Sequence, residues 1–285
     1  MIILSNNLKI FITAAETGSL TETAKKLYIS QPAISQAIRK IEDELGISLF
    51  IRNKRSSLKL TDAGADILQL AYQMSDLENR IYQIAYNENH MLSGTVRVAS
   101  VPLGVSLILA KILPEFKKKF PNVTVELLEG SPNEVKEMVL NYQVDFGITT
   151  SPYRGLQHKL LLQDQMISVH AESSKDLDLT SITDPLVLCA VAYDSIREQL
   201  KGKHTNISNA LIVKAASTQL DMISAGNGVG IVSKLMLSTL PNDLYTGKVL
   251  PDIRMEIGLV AHDFNNLSVS ANEICRMILS SYFDQ

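Results

Sequence analysis

Cysteine is scarce. The 285 residues hold two, Cys189 and Cys275, too few for a disulfide framework or a thiolate metal site. Each sits among apolar neighbours and reads as a small buried hydrophobe. The five histidines, His90, His158, His170, His204 and His262, show no metal-ligand spacing, so no metal is expected. No apolar run approaches the ~18–20 residues of a membrane span. Met1-Ile2-Ile3-Leu4 lacks the basic start and cleavage pattern of a secretory signal, which sets a cytoplasmic expectation. A dinucleotide fingerprint is also missing. Gly226, Gly228 and Gly230 follow a predicted helix where a strand is required, and Ile231 stands in place of the third glycine. With no nucleophile–base motif either, the expectation is no catalytic residue, no cofactor and no enzyme.

What is present is ordinary globular material, 46% hydrophobic, at a length that predicts two domains. The net charge of −3 conceals an asymmetry: residues 1–61 carry +4 and the remainder −7. A basic head on an acidic body fits a DNA-binding module joined to a sensor or partner domain.

The organising stretch runs from Ser19 to Gly46. Ser19-Leu20-Thr21-Glu22 is a capping box, with Glu22 expected to reach back to the cap. Leu20, Ala24 and Leu27 point inward on the helix that follows. Tyr28-Ile29-Ser30 makes a turn, Ser30 caps a second helix, and Pro32 sits in its first turn. Ile34, Ile38, Ile41 and Leu45 form one apolar stripe on that helix. Gln31, Ser35 and Arg39, with Gln36 and Lys40, lie away from it. The acidic Glu42, Asp43 and Glu44 are held to the C-terminal end, and Gly46 stops the helix. Amide, hydroxyl and cationic groups on the N-terminal outer face suit a DNA major groove. The bland alternative is an amphipathic core helix. The capped helix before it and the basic hairpin after it favour the DNA reading.

An earlier helix carries Leu8, Phe11, Ile12 and Ala15 on one face and ends at Gly18. Phe50 to Thr61 is a candidate β-hairpin, with Arg52, Lys54 and Arg55 near its tip as phosphate contacts. Asp62 to Glu88 then repeats Ile67, Leu70, Met74, Leu77, Ile81 and Ile84 at intervals of three and four. This heptad seam predicts a helix of about 40 Å that pairs with another helix. Asn87-Glu88-Asn89-His90 closes it, and Ser93-Gly94 marks the domain boundary.

From Thr95 strands alternate with helices. Strands are predicted at Thr95–Ala99, Val123–Leu128, Val144–Ile148, Leu186–Val191, Leu211–Lys214 and Val229–Ser233. Helices are predicted at Val105–Phe120, after Ser131-Pro132-Asn133-Glu134, at Ser195–Leu200 and at Thr218–Ala225. The order argues for a mainly parallel sheet with helices on both faces. Ligands in such folds bind beyond the C-terminal strand ends, near helix starts. That rule selects Ser100, Ser131, Thr149, Thr150, Ser195 and Thr218 as candidate ligand contacts. Each hydroxyl among them also reads as a plain helix cap. No arginine falls on these positions.

The run Gln31-Pro32-Ala33-Ile34-Ser35-Gln36-Ala37-Ile38-Arg39-Lys40-Ile41-Glu42-Asp43-Glu44-Leu45-Gly46 resembles the recognition-helix signature of LysR-type transcriptional regulators. Ser48-Leu49-Phe50-Ile51-Arg52 and Leu58-Lys59-Leu60-Thr61-Asp62-Ala63-Gly64 resemble that family's wing and the start of its linker helix. The resemblance implies an α/β protein with an N-terminal all-α winged helix-turn-helix at 1–61 and a dimerising linker helix at 62–90. It further implies a regulatory domain at 91–285, two-lobed and similar to type 2 periplasmic binding proteins. Lobe I would comprise 91–161 and 266–285, and lobe II 162–265. The strands near Leu160–Val169 and Met255–Val260 would cross between lobes.

Gln31, Pro32, Ser35 and Gln36 would then face base edges of double-stranded DNA at a dyad-related promoter site. Arg39, Arg52, Lys54 and Arg55 would hold phosphates. A small-molecule effector, a homodimer and further assembly to a homotetramer are implied as partners. The resemblance also adds Val101 and Pro102, in the loop after the first strand, to the candidate effector contacts. Two departures stand out: Gln36 replaces a basic residue common in relatives, and Val101 and Leu103 flank Pro102 where many members carry Ser or Thr. The alternatives are a regulator whose C-terminal domain only oligomerises, an α/β enzyme, or a solute-binding protein.

Overall fold

The computed structural model describes residues 6–51, 58–87, 93–200, 207 and 209–283. Three helices, α1 (Asn6–Thr17), α2 (Leu20–Leu27) and α3 (Gln31–Leu45), enclose a small core. Phe11, Ala14, Ile34, Ile38 and Leu49 fill it, and Phe11 meets Phe50 edge-on at 5.6 Å. The chain turns between helices where left-handed residues allow it: Gly18, Tyr28 and Gly46 have φ of +61°, +56° and +68°. Ser19 Oγ accepts from the Glu22 N–H at 3.4 Å. The expected return arm of that box is replaced, because the Glu22 carboxylate pairs with Lys25 Nζ at 2.8 Å.

The stripe on α3 also differs from expectation at its end. Leu45 is 50% exposed, whereas Glu42 is buried. The Glu42 Oε1 accepts from the N–H groups of Leu49 and Phe50 at 2.8 and 3.3 Å. The chain leaving Gly46 folds back across this side of the helix, so its free amides need an acceptor there.

Phe50–Ile51 (β1) pairs antiparallel with Lys59–Leu60 (β2). Arg52, Lys54 and Arg55 lie outside the described residues. Thr61 starts α4 (Asp62–Asn87) by accepting from the Gly64 N–H at 2.9 Å. A Cβ on Gly64 would stand 2.1 Å from the Leu49 carbonyl oxygen, so a glycine is required at this crossing. The expected closing residues Glu88, Asn89 and His90 lie outside the described residues.

In the rest of the chain, β3 (Gly94–Ser100) pairs parallel with β4 (Val123–Glu129) and β5 (Phe146–Thr150). β8 (Leu186–Cys189) likewise pairs parallel with β9 (Leu211–Val213) and β10 (Val229–Ser233). The two parallel sets are joined by long antiparallel strands, β6 (Gln157–His170) and β12 (Arg254–Ala261). β6 pairs with β12 over its first part and with β10 and β11 (Tyr245–Leu250) over its second. β7 (Leu177–Asp178) pairs with β11. The result is one ten-stranded sheet whose main path runs β4-β3-β5-β12-β6-β10-β8-β9.

Two main cores follow from this division. One holds Val96, Phe116, Phe146, Ile148, Leu259, Ile274 and Ile278, the last two from α11 (Val269–Phe283). The other holds Leu179, Leu188, Ile196, Ile231 and Ile253. Cys275 belongs to the first and Cys189 to the second. Both are free and buried, and burial pushes both thiols above their ordinary range.

Several element starts differ from the sequence expectation. A helix α5 (Pro102–Gly104) begins three residues early with proline in its first turn. It continues through a π turn (Val105–Leu109) into α6 (Ala110–Lys119). α7 (Pro132–Leu140) keeps the full capping box expected at Ser131 and Glu134. α8 (Ala190–Gln199) begins five residues before Ser195, and α9 (Ala216–Ser224) two before Thr218. Their N-caps, Cys189 and Ala215, supply no capping oxygen, so the nearest hydroxyl marked a position inside each helix. α10 (Lys234–Thr239) follows β10 under a Ser233 cap. Gly226 (φ +79°) leaves α9 and Gly228 (φ +135°) leads into β10, as helix termination and strand start require.

Candidate nucleic-acid interface and interlobe cavity

Packing Ile34, Ala37, Ile38 and Ile41 inward leaves the opposite side of α3 to solvent. Gln31, Pro32, Gln36, Arg39 and Lys40 are exposed, and Ser35 is half-buried. Ser30 Oγ accepts from the Ala33 N–H at 3.4 Å and fixes the helix start. Nearby cations on α2 are engaged, Lys25 with Glu22 at 2.8 Å and Lys26 with Glu16 at 3.0 Å. Arg39 and Lys40 form no ion pair among the described residues. Among the described residues this face therefore offers an amide and two cations free of ion pairs, a set suited to base edges and phosphates.

On α4, Ala71 and Tyr72 are buried against the helical core. Leu70, Met74, Leu77 and Ile81 are each about half exposed, between 49% and 58%. Ile67 is half-buried. The backbone of α4 carries on past Ile84. Four large apolar side chains at heptad spacing thus stand in solvent in the single chain.

The inner side of α4 meets the first lobe. Gln69 Nε2 donates to Asn141 Oδ1 at 3.2 Å, and Tyr72 Oη donates to Glu16 at 3.4 Å. Below them the Arg97 N–H donates to Asp145 Oδ2 at 2.6 Å, while Arg97 Nε donates to Glu126 at 3.0 Å. Burial pushes the Asp145 carboxyl up to about 7, against the pull of the Arg97 amide, and nearby Asp76 adds to the rise. Burial lowers the Arg97 guanidinium, but Glu126, Glu16 and Asp145 outweigh it and hold it above its ordinary value. Tyr142 stacks on His262 at 4.4 Å, with Oη and Nε2 2.8 Å apart.

A cavity of about 480 Å³ lies between the lobes, within the range of small-molecule sites. Val101, Pro102 and Thr150 line it from the first lobe, with Glu129 at the end of β4. Met166, Cys189, Val232 and Met255 form an apolar wall, and Lys214, Ser217 and Gln219 come from the loop and helix after β9. Of the eight sequence candidates, the cavity thus gathers Val101, Pro102 and Thr150.

The other five stand elsewhere. Ser100 is fully buried and donates to the Val101 carbonyl at 2.9 Å. Thr149, expected past its strand, lies within β5 and donates to the Pro132 carbonyl at 3.1 Å. Ser131 caps α7. Ser195 lines a separate hollow with Gln199 and Arg254 and contacts Met255 Sδ at 3.3 Å. Thr218 is exposed on α9. Sequence reasoning missed Glu129, Cys189, Lys214 and Gln219. Lys214 ends the predicted strand Leu211–Lys214, so the strand-end rule reached it; attention to hydroxyls passed over it.

Comparison with known proteins agrees with both halves of this arrangement. Residues 5–65 match the family described as bacterial regulatory helix-turn-helix protein, lysR family. Residues 89–281 match the LysR substrate binding domain. YoaU of Bacillus subtilis, described as an uncharacterized HTH-type transcriptional regulator, is 33% identical, with 98% of each chain covered. A full-length OxyR variant from Pseudomonas aeruginosa superposes with a TM-score of 0.67 at 18% identity, covering 97% of this chain and 96% of that one. CbnR in complex with its target DNA superposes with a TM-score of 0.61 at 22% identity, covering 96% and 98%. These two likenesses carry the fold. The matched models and the relative together place the function: the chain belongs to the LysR family and is a DNA-binding transcriptional regulator with a substrate-binding effector domain.

Proposed function

We propose that the protein works in the cytoplasm as a homodimer joined along α4, and further as a dimer of dimers, on a dyad-related promoter site. The division behind this is a head at 1–61, a dimerising helix at 62–90 and an effector domain at 91–285. Within the latter, 91–161 with 266–285 and 162–265 form two lobes that move as an effector binds. The observation that carries the reading is the solvent-facing Leu70, Met74, Leu77 and Ile81 stripe. Left bare, such a seam is an association surface, and a narrow heptad seam suits a partner helix. No helix among the described residues is long and apolar enough to cross a membrane.

In this reading Gln31, Pro32, Ser35 and Gln36 face base edges, and Arg39, Arg52, Lys54 and Arg55 hold phosphates. A two-fold dimer carries two such faces, so its site has matching half-sites. The effector sits in the interlobe cavity, touching Val101, Pro102 and Thr150. By binding one lobe arrangement better than the other, it alters the spacing of the paired heads.

Fragments bound by the full chain, selected from genomic DNA and then footprinted, test this. A protected site with two related half-sites supports it. Equal binding to every duplex, or a monomer by light scattering at the same concentration, removes it.

A further inference from the structure

We propose that the effector is a small monocarboxylic acid with an apolar side chain and a hydroxyl or amino group beside its carboxylate. The inference rests on the interlobe reading above and deepens it. Three features of the cavity wall carry it.

The first is a pair of anion-holding elements on one lobe. Lys214 lines the cavity and forms no ion pair among the described residues. It leads directly into α9, whose N-cap Ala215 provides no side-chain acceptor. The first amides of a nine-residue helix are therefore uncapped at the cavity, where Ala216 and Ser217 also line the wall. A cation beside an uncapped helix start is a carboxylate site.

The second is a buried acceptor without a donor. Gln219, one turn into α9, is 0% exposed and lines the same cavity. Its Nε2 donates to the carbonyls of Val187 and Ile231 at 2.8 and 2.9 Å. Those two bonds fix which way the amide points, because only the NH₂ side can serve two carbonyls. Among the described residues Oε1 has no hydrogen-bond partner. Burying an unmet acceptor is costly, and a donor on the ligand beside its carboxylate would relieve that cost.

The third is the charge on the other lobe's part of the wall. Glu129 lines the cavity from the opposite lobe. Glu134, held low mainly by its bonds to Ser131, also feels the charge of Lys214. The Glu129 carboxylate on the wall, with Glu134 near enough to Lys214 to feel its charge, opposes a second anionic group and accepts an ammonium. The remaining wall, with Met166, Val232, Met236 and Met255, is apolar. A ligand that joins Lys214 on one lobe to Glu129 on the other would also hold the lobes at one angle.

Calorimetric titration of the full chain tests this with matched skeletons: leucine and leucate, isocaproate, leucinamide, and the corresponding phenylalanine series. We expect at least one donor-bearing acid to bind. Its donor-free acid should bind about tenfold more weakly and the amide of the same skeleton about a hundredfold more weakly. Lys214→Ala should cost about tenfold and Lys214→Arg should restore most of it. Equal affinity for acid and amide, an unchanged Lys214→Ala, or no binding by any member overturns the proposal. Ser217→Trp, an exposed position that fills the mouth, separates the two levels. If neutral members bind and Ser217→Trp abolishes it, the cavity reading stands and the carboxylate inference fails. Binding that Ser217→Trp leaves untouched overturns both.

Discussion

The Arg97 amide donates to the Asp145 carboxylate at 2.6 Å, next to the side of α4 that carries Tyr72 and Asp76. Burial pushes this carboxyl from 3.8 to about 7, so the folded chain holds a proton that the unfolded chain releases near pH 4. The stabilising form is fully present below the unfolded value and is lost as pH rises from there through about 7. Asp145→Asn keeps an acceptor for the amide and removes the buried charge. Thermal melts should show the variant gaining on the parent between pH 5 and pH 8, by on the order of 2 kcal/mol. A constant difference across that range would remove the assignment to Asp145.

Glu42 is the acceptor on which the turn after α3 depends. Glu42→Ala would leave the amides of Leu49 and Phe50 without their partner. The expected loss is about 2–3 kcal/mol of stability in the helical head. Glu42→Gln, which keeps one oxygen in place, should lose less. Tryptic digestion of the head before and after warming reads this. Equal protection of the parent and the alanine variant would show that the turn stands without the carboxylate.

Periodicity and capping chemistry reached most of the helical head. Ser30-Gln31-Pro32 and Gly46 bound a helix because cap, proline and left-handed glycine act within a few residues, and α3 starts and stops there. The strands in the body were legible for the same reason: short apolar runs between turn residues. What local patterns could not carry was tertiary. Glu42 reads as one of three surface acids, and only the chain folding back from Gly46 makes it an interior acceptor. Ser195 and Thr218 read as helix starts because hydroxyls are favoured caps. α8 and α9 instead begin just after their N-caps Cys189 and Ala215, and the uncapped end of α9 opens on the cavity. Of the cavity members missed from sequence, Gln219 depends on β9 and α9 meeting the other lobe across a gap that no spacing rule encodes, whereas Lys214 stands at a predicted strand end and lacks only the hydroxyl sought there.

The exposed seam on α4 predicts a specific disruption. Leu77 is 54% exposed in the single chain, so Leu77→Glu should fold normally. In a paired seam it would set two carboxylates against apolar neighbours and against each other. Light scattering should move from dimer or larger to monomer, and affinity for a two-half-site duplex should fall about a hundredfold, since linked heads gain from effective concentration. Glu78→Ala, on the neighbouring position of the same helix, serves as a control that should leave assembly in place. Unchanged mass for Leu77→Glu would relocate the interface.

The outer face of α3 divides into groups that should fail in different ways. Gln36 is exposed and presents an amide, whose two ends can pair with adenine N6 and N7. Arg39 is exposed, forms no ion pair among the described residues and is placed for phosphate. Gln36→Ala should therefore change which base is preferred at one position, by about 1–3 kcal/mol of discrimination, with the salt slope preserved. Arg39→Ala should weaken specific and scrambled duplexes alike and reduce the slope of log K against log salt by about one. Titrations of both duplexes at two salt concentrations separate these outcomes. Equal losses on both duplexes for Gln36→Ala would move it from reading to positioning. A base-selective loss for Arg39→Ala would place the guanidinium in the groove instead of on the backbone.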